Sequence, residues 1–411
     1  MQGATLPASV DDRAAERPSA SRRLPAVIYV LALGTFLMGT TEFVVAGLLP
    51  EIADDLRVSV ARAGLAITVF AVGMIIGAPL MSMLTLRLPA RMTLMLALGV
   101  FAAGHVIAAV GDGFGLLLAA RFLTALATGA FWAVANVVAT RAAGPAASSR
   151  AVGVVGSGAM LANVVGVPLG AFAGQLMGWR GPFWILAVLA VAAVALIARR
   201  VPHEPRGGQT VSILSELSAL RSGRLWLVLA ACAATSAGVL GTYTYIAPLL
   251  TDRAGIAAGL VPLVLVGFGA GALAGFLVGG RLGDVRPYAT TIKAAASAAV
   301  VLAALGLLSG FAAPTVALVA LLGLVGFLGT PVLIALGVRF AGRAPTLGSA
   351  LTVSAFNLGT AAGSWIAGLA LDSPFHTAGP AVIGAAMAAV ALIPTLTLAL
   401  VQGRRAQPAA G

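Results

Sequence analysis

The stretch ARAGLAITVFAVGMIIGAPLMSM, residues 61–83, contains a single charged side chain, Arg62. An α-helix needs about 20 mostly apolar residues to cross the hydrocarbon core of a bilayer. The stretch meets that length, and glycine and proline of the kind it contains are common in membrane-spanning helices. It therefore predicts a helix that crosses a membrane.

The composition of the whole chain agrees with this prediction. Hydrophobic residues make up 60% and charged residues 9% of the 411 residues, whereas soluble domains average about 45–50% and about 25%. Because so few charges do not cover a water-exposed surface, the composition excludes a soluble fold. A single cysteine, Cys232, excludes an intramolecular disulfide framework and a cysteine-based zinc site.

Apolar runs of this kind recur along the chain and number twelve. They are separated by charged residues and by clusters of proline and glycine. Their bounds are about 27–49, 61–83, 92–110, 115–140, 151–176, 182–199, 225–248, 257–280, 289–309, 314–337, 347–371 and 379–401. The sequence therefore predicts an all-α integral membrane protein with 12 transmembrane helices.

Arginine and lysine are distributed unevenly between alternate loops. If both termini are cytoplasmic, 20 of the 25 basic residues lie in cytoplasmic segments. The predicted outer loops contain four, namely Arg57, Arg62, Arg180 and Arg253. Since cytoplasmic loops carry the excess of basic residues, both termini are predicted to be cytoplasmic. The net charge of +12 then reflects orientation in the membrane and not binding to nucleic acid.

The longest polar stretch between spans divides them into six and six. The predicted organisation is a disordered cytoplasmic N-tail, a six-helix bundle, a cytoplasmic central loop, a second six-helix bundle and a cytoplasmic C-tail. These segments are residues 1–26, 27–199, 200–224, 225–401 and 402–411. The apolar run from Val27 is too long for the hydrophobic region of a signal peptide, so we expect it to remain uncleaved.

The two sets of six spans share a weak repeat. Small or polar residues recur 198 residues apart between spans 2 and 8, and 194 residues apart between spans 5 and 11. The matched pairs are Gly73 with Gly271, Gly77 with Gly275, Ser82 with Gly280, Asn163 with Asn357 and Gly174 with Gly368. Two parallel six-helix repeats are typical of secondary transporters, which bind substrate between the halves near the bilayer midplane.

Span 5 carries the first motif that resembles a known family. It contains the sequence GVPLG, with Gly166, Pro168 and Gly170, followed by GWR at residues 178–180. This is similar to the fifth-span signature of the drug:proton antiporters of the major facilitator superfamily. We expect Gly166 and Pro168 to bend or thin the helix, so that it packs closely and flexes.

Span 1 resembles one bacterial subgroup of that branch. The sequences GTTEF at residues 39–43 and GLLPEIA at residues 47–53 carry the likeness, and the subgroup exports chloramphenicol-type drugs, sugars or purine nucleosides. The resemblance covers about residues 27–401. It implies the major facilitator fold, in which the 12 transmembrane helices form two pseudo-symmetric six-helix bundles.

The resemblance also implies a function. We expect proton-coupled efflux of a small organic compound, such as chloramphenicol, by alternating access, with the proton gradient as energy source and no cofactor. The expected partners are a small-molecule substrate, protons and the lipid bilayer of a bacterial inner membrane, and the protein is expected to act as a monomer. A sugar or purine nucleoside exporter and an uncoupled uniporter or importer remain alternatives. An enzyme is not expected, because three histidines and one cysteine offer little for a metal site or a nucleophile.

The superfamily's cytoplasmic loop motif, Gly-x-x-x-Asp-Arg-x-Gly-Arg-Arg, is present in part at two places in the chain. Between spans 8 and 9 the chain keeps Gly280 and Asp284. Between spans 2 and 3 it keeps Arg87 and Arg91, but Leu86 stands where the motif has aspartate. In the family this aspartate helps to latch the inner gate. The resemblance therefore implies that Asp284 contributes more to gating than the loop between spans 2 and 3.

Glu42 is the only acidic residue that falls within a predicted span. Arg121 in span 4 lies at a similar depth, about 10 Å from the outer end at 1.5 Å per residue, and His105 lies in the outer half of span 3. Charges in the membrane are costly and are mostly paired and functional. Glu42 is interpreted as a proton-coupling residue influenced by Arg121, as half of a structural ion pair, or as a counter-ion for a cationic substrate. His105 is either a packed histidine or a proton relay.

Four further polar or aromatic residues are candidates for the substrate cavity. Asn163 and Asn357 lie at matching places near the middle of spans 5 and 11, where they either line the cavity or hydrogen-bond neighbouring helices. Trp132 and Asn136 are one helical turn apart on span 4. They offer a ring and an amide to a substrate, unless Trp132 faces lipid.

Overall fold

The computed structural model of the protein describes residues 24–202, apart from residue 86, and residues 218–406, apart from residues 372, 373 and 375. Most of the predicted N-tail and central loop, and the end of the C-tail, lie outside the described residues. So does Leu86, the residue at the aspartate position of the loop motif between spans 2 and 3.

The described residues are folded into long helices that follow the twelve predicted spans in order, numbered α1 to α12. Those of the N-terminal half are Ala26–Val44 (α1), Leu65–Leu84 (α2), Ala90–Val110 (α3), Phe114–Ala143 (α4), Ser148–Leu161 continued by Val167–Met177 (α5) and Gly181–Arg200 (α6). Those of the C-terminal half are Gly223–Thr244 (α7), Val261–Val285 (α8), Pro287–Leu308 (α9), Ala312–Leu328 continued by Thr330–Phe340 (α10), Pro345–Leu371 (α11) and Gly379–Val390 continued by Leu392–Ala406 (α12).

In the described part of the chain, nine helical stretches are long and apolar enough to cross a membrane. They correspond to α2, α3, α4, α6, α7, α8, α9, α10 and α12. The other three predicted spans are α1, which is shorter, α5, which is interrupted, and α11. The architecture is therefore the predicted all-helical membrane fold, and it is consistent with twelve spans.

Prolines account for the interruptions within the spans. In α5 a π-helical turn, Ala162–Gly166, separates the two segments directly before Pro168. A proline lacks the N–H group for the helical hydrogen bond and its ring collides with the carbonyl four residues earlier, which a wider turn accommodates. In α10 the break at Gly329 precedes Pro331 in the same way.

Two of the predicted boundaries differ from the structure beside candidate site residues. Span 1 was predicted to run to residue 49, but α1 ends at Val44 and continues as a 3₁₀ turn, Val45–Leu48, and a short helix, Leu49–Asp55. Span 8 was predicted to end at residue 280, but α8 continues to Val285. Asp284 therefore lies in the last turn of a helix and not in a loop, because the residues after Gly280 contain no helix-breaking proline until Pro287.

The weak sequence repeat corresponds to equivalent helix packing in the two halves. Gly73 and Gly77 of α2 face α4, where a Cβ atom would collide with Ala125 and Leu126 respectively. The matching Gly271 and Gly275 of α8 face α10 and would collide with the backbone of residues 320–324. Small residues allow such close helix approach in membranes. The repeat is thus a pair of equivalent helix contacts.

The two halves meet at the end of the molecule that the charge distribution predicts to be cytoplasmic, called the inner end here. The inner segment of α5 packs on α8, where Gly153 and Gly156 lie against Phe276. The outer segment of α5 packs instead on its own half, with Gly170 against Val44 of α1. Between α2 and α11, Ser354 Oγ donates to the carbonyl oxygen of Ile75 at 2.7 Å.

The contact between α1 and α5 leaves no room at Gly158, whose added Cβ would collide with the Ala32 carbonyl oxygen. Gly158→Ala is therefore expected to lower the free energy of unfolding by about 1–3 kcal/mol through overpacking. The matched control is Gly99→Ala in the middle of α3, where nothing lies within 4 Å of the new Cβ. That change should be neutral or stabilising, because alanine is the better helix former. Thermal unfolding in detergent measures both, and equal midpoints for the two variants would contradict the close contact.

Candidate functional site

Arg121 on α4 is the centre of a buried polar network. Its side chain is 1% exposed. Its NH1 group donates to the carbonyl oxygen and to the Oγ1 of Thr41 on α1, both at 3.0 Å. Its Nε donates to the Ala66 carbonyl oxygen on α2 at 3.3 Å, and its guanidinium lies 4.2 Å from the centre of the Phe70 ring. The arginine therefore joins three helices of the N-terminal half.

Glu42 is next to this network but is not bonded to Arg121. The residue is half-buried, and in the described part of the chain its carboxylate makes no ion pair or hydrogen bond with the guanidinium. The direct ion pair predicted from depth is therefore not formed in this structure. Consecutive helical residues point about 100° apart, so Arg121 reaches Thr41 without meeting Glu42.

His105 on α3 joins the same network. Its Nε2 lies 2.8 Å from Thr41 Oγ1 and its Nδ1 lies 2.7 Å from the carbonyl oxygen of Phe101. A carbonyl only accepts hydrogen bonds, so Nδ1 carries the proton. Thr41 Oγ1 accepts from Arg121 and is also hydrogen-bonded to Nε2 of His105. This is the geometry of a packed, hydrogen-bonded histidine, and a role in proton transfer stays a prediction.

Thr41 is the residue of this network that sequence reasoning missed. It is fully buried and bonds Arg121 and His105 through one hydroxyl group. Its signal in the sequence was its place beside Glu42 within the GTTEF motif. A threonine in a spanning helix usually bonds its own backbone, so the motif alone did not single it out.

Trp132 faces the middle of the molecule. It packs, partly buried, on a cluster of apolar side chains from both halves. The cluster consists of Phe70, Met74 and Ala78 of α2, Ala125 and Ala133 of α4, and Ala350 and Val353 of α11. The lipid-facing alternative is therefore not the arrangement in this structure.

Asn136, one turn further along α4, is completely buried. Neither its Oδ1 nor its Nδ2 has a hydrogen-bond partner among the described residues, and the same is true of the Oγ of Ser349 on α11. A buried polar group without a partner costs about 1–3 kcal/mol. The inner half of the molecule therefore contains polar groups whose burial costs free energy.

Asn136→Leu is expected to raise the free energy of unfolding by about 1 kcal/mol or more, because leucine has a similar volume and no polar atoms to desolvate. It should also slow transport, because the closed arrangement becomes more stable relative to the open one. Asn163→Leu is the matched control for stability alone, since Asn163 is half-buried and its polar group is less desolvated in the folded state. Thermal unfolding and transport rates measure the two effects, and a destabilised Asn136→Leu variant would contradict the expectation.

In the described part of the chain, the side-chain amides of Asn163 and Asn357 are not hydrogen-bonded to neighbouring helices. Asn163 lies in the π-helical turn of α5, and Asn357 donates from Nδ2 to the carbonyl oxygen of Val353 in its own helix at 3.0 Å. Among the described residues, no hydrogen bond from either side chain to another helix is present. Both residues are half-buried. The arrangement favours the cavity interpretation over interhelical hydrogen bonding, and this role remains a proposal.

The inner end is joined across the two halves by Asp284. Its Oδ1 accepts hydrogen bonds from the backbone N–H groups of Ser149 at 2.8 Å and Arg150 at 3.2 Å. These N–H groups belong to the first turn of α5, where the helix dipole also favours a negative charge. Gly280, one turn earlier, brings α8 so close that an added Cβ would lie 2.8 Å from the Ser149 carbonyl oxygen.

The two arginines of the other copy of the motif make no such contact. Arg87 is exposed in the turn after α2, and Arg91 lies half-buried in the first turn of α3. Neither is hydrogen-bonded or ion-paired to another described residue. The two copies therefore differ in structure as they do in sequence.

In the residues that the structure describes, no group of three His, Cys, Asp or Glu side chains could hold a metal ion.

Comparison with known proteins decides the family. The model of the Major Facilitator Superfamily matches residues 31–364. The chain belongs to the major facilitator superfamily. Its helix order, its internal repeat and its closure between α5 and α8 are thus properties of a major facilitator superfamily transporter.

Two relatives and one solved structure illustrate the similarity. The chain is 36% identical over 375 residues to a chloramphenicol resistance protein of Streptomyces lividans, covering 90% of this chain and 95% of that protein. It is 33% identical over 371 residues to the MFS-type transporter YtbD of Bacillus subtilis, covering 88% and 93%. The structure of the transporter FucP in the outward conformation has a TM-score of 0.75 at 19% identity, covering 90% of this chain and 98% of that one.

Within this major facilitator superfamily transporter, five of the predicted site residues form two groups. Arg121 and His105 are both hydrogen-bonded to Thr41, and Glu42 lies beside them. This group is in the N-terminal bundle, toward its outer end. Asp284 and Gly280 lie at the inner contact between the halves. Trp132, Asn136, Asn163 and Asn357 lie on α4, α5 and α11, at depths between these two groups.

Proposed function

We propose that this transporter exports a small organic compound of the chloramphenicol type in exchange for protons. The observation that carries the proposal is Glu42, a half-buried carboxylate inside the membrane, beside the buried network of Arg121, Thr41 and His105. An intramembrane carboxylate beside a polar network is the usual arrangement of a proton site. The similarity to a chloramphenicol resistance protein supports the substrate class.

The conformation is compatible with the proton-loading step of such a cycle. The inner end is closed between α5 and α8, and the outer segment of α5 turns away onto α1. In the proposed cycle, a proton from the outside binds to Glu42 while the inner end is closed. Opening of the inner end then exposes Glu42 and the buried amide of Asn136 to the side from which the substrate enters.

The decisive experiment is transport into inverted membrane vesicles with and without a proton gradient. Export of chloramphenicol appears as uptake that depends on the gradient, and collapse of the gradient should abolish it. Uptake that does not respond to the gradient would identify an uncoupled uniporter. A susceptibility panel in a pump-deficient bacterial host, extended to sugars and purine nucleosides, tests the substrate class.

The direction of transport also depends on the orientation in the membrane. Both termini and the central loop at residues 200–224 are expected to be cytoplasmic, because their side of the molecule carries most of the basic residues. Reporter tags at these three places measure the orientation in an inner bacterial membrane. A periplasmic signal from the central loop would contradict the proposed direction and the charge distribution on which it depends.

A further inference from the structure

A cavity of about 650 Å³ opens at the inner end of the C-terminal half, away from the Arg121 network and from Asp284. Its lining includes Arg224 at the start of α7, Arg339 and Phe340 at the end of α10, and Val401 of α12. The volume is within the range of small-molecule sites, about 300–1,000 Å³. Nothing in the proposed transport cycle uses this cavity.

The cavity is positively charged. Arg224 and Arg339 line it, and none of the described lining residues is acidic. Among the described residues neither arginine is ion-paired. The NH2 group of Arg224 is buried without a hydrogen-bond partner in the described part of the chain, while its guanidinium lies 5.7 Å from the centre of the Phe340 ring. Buried guanidinium groups are normally paired with an anion.

The start of α7 adds to the positive electrostatic potential of the cavity. Ser222 caps the helix, and its carbonyl oxygen accepts the first helical hydrogen bonds, from Leu225 and Trp226. The preceding N–H groups, of Gly223 and Arg224, therefore have no partner within the helix. Such a helix start favours an anion, for example a phosphate group.

The surface beside the cavity is that of a membrane boundary. Trp226 is 54% exposed and its indole Nε1 donates to the carbonyl oxygen of Leu220 at 2.7 Å. Tryptophan is enriched at the level of lipid headgroups. On α12, Val401 lines the cavity and the preceding Leu400 is 68% exposed. An anion in the cavity would thus have apolar surface within reach of an attached acyl chain.

We propose that this cavity binds a phosphate group, with Arg224 and Arg339 as the two cationic ligands. The phosphate belongs either to the headgroup of an anionic lipid in the inner leaflet or to a free phosphate ion. Basic pockets between helices at the cytoplasmic side bind lipid headgroups of this kind. The proposal does not depend on the substrate or on proton coupling.

The test is native mass spectrometry of the full chain in a neutral detergent, titrated with dioctanoyl phosphatidylglycerol, with dioctanoyl phosphatidylcholine and with inorganic phosphate. Two arginines near an anionic headgroup contribute about 1 kcal/mol each, so Arg224→Gln with Arg339→Gln should weaken phosphatidylglycerol binding about thirtyfold. Arg224→Lys with Arg339→Lys should retain part of the affinity. Phosphatidylcholine should bind weakly because it has no net charge.

The matched control is Arg199→Gln with Arg200→Gln, two exposed arginines at the inner end of α6. It removes the same charge and should leave the affinity within about twofold. Displacement of the lipid by inorganic phosphate at similar concentrations identifies the free ion as the ligand, and failure of displacement identifies the lipid. Equal affinity in the wild type and in the glutamine pair, or an equal loss in the control pair, would overturn the proposal. Because Arg339 is exposed, Arg339→Gln alone keeps the test decisive if the double variant does not fold.

Discussion

Replacing Glu42 by glutamine is expected to reduce proton-driven export to background while leaving substrate binding in place. Glutamine has the size and shape of the protonated acid, but it has no proton to release. The transporter would then remain in the protonated half of its cycle and lose the coupling between proton entry and substrate exit. Uphill transport in inverted vesicles measures the loss, and binding of radiolabelled substrate to the purified variant measures what remains.

Two further variants distinguish a proton site from a structural carboxylate. Glu42→Asp keeps the acid and should retain part of the activity, reduced by its shorter reach. Glu51→Gln removes a carboxylate that lies exposed beyond α1 and should transport normally. Undiminished uphill transport by Glu42→Gln would assign Glu42 to structure. The search for the proton site would then move to His105, although both of its ring nitrogens are already hydrogen-bonded.

The second large effect is expected at the inner gate. Asp284→Asn should shift the molecule from the closed toward the open inner end, because the amide loses the negative charge that the start of α5 attracts. Hydrogen bonds to a charged group contribute about 1.5–3 kcal/mol. Loss of about 2 kcal/mol changes the ratio of closed to open molecules about thirtyfold. The transport rate should fall as the closed fraction falls, since alternating access requires that the two ends are not open together.

The gate is measured by the distance between spin labels at Ala146 and Arg286, both exposed at the inner end. A population with a longer distance should appear in Asp284→Asn and be larger in Asp284→Ala. Asp252→Asn is the control, because Asp252 is exposed beyond α7 and accepts a hydrogen bond from the neighbouring Thr251. An unchanged distance distribution in Asp284→Asn would show that packing of α5 against α8, and not the carboxylate, keeps the inner end closed.

Much of the fold could be predicted because the bilayer imposes simple requirements. A span must be long and apolar enough to cross the hydrocarbon core, so hydropathy located the helices to within a few residues. The gap at residues 111–113 between α3 and α4 was correct for this reason. The end of α8 was predicted wrongly, because a helix can continue past the hydrocarbon core into the polar interface, where hydropathy no longer marks its end.

The candidate site could be predicted only in part. Residue type and depth identified Glu42, Arg121 and His105 as unusual, since charged and ionisable groups in a membrane are costly. Their connection through Thr41 could not be predicted, because one hydroxyl among many in spanning helices has no distinguishing pattern. The assignment of Arg121 to Thr41 and not to Glu42 depends on side-chain direction, which depth along a helix does not specify.

The sequence by itself determined that this chain is a helical membrane protein of two related halves, and its motifs indicated the family. Those properties depend on hydropathy, on residue spacing and on small residues that recur where helices touch, all of which are read along the chain. The tertiary structure alone decided which carboxylate joins the halves, which amide is buried without a partner and which arginines line a cavity at the inner end. Each of these depends on contacts between residues far apart in sequence, and the free energy of a buried polar group is set by its neighbours in space.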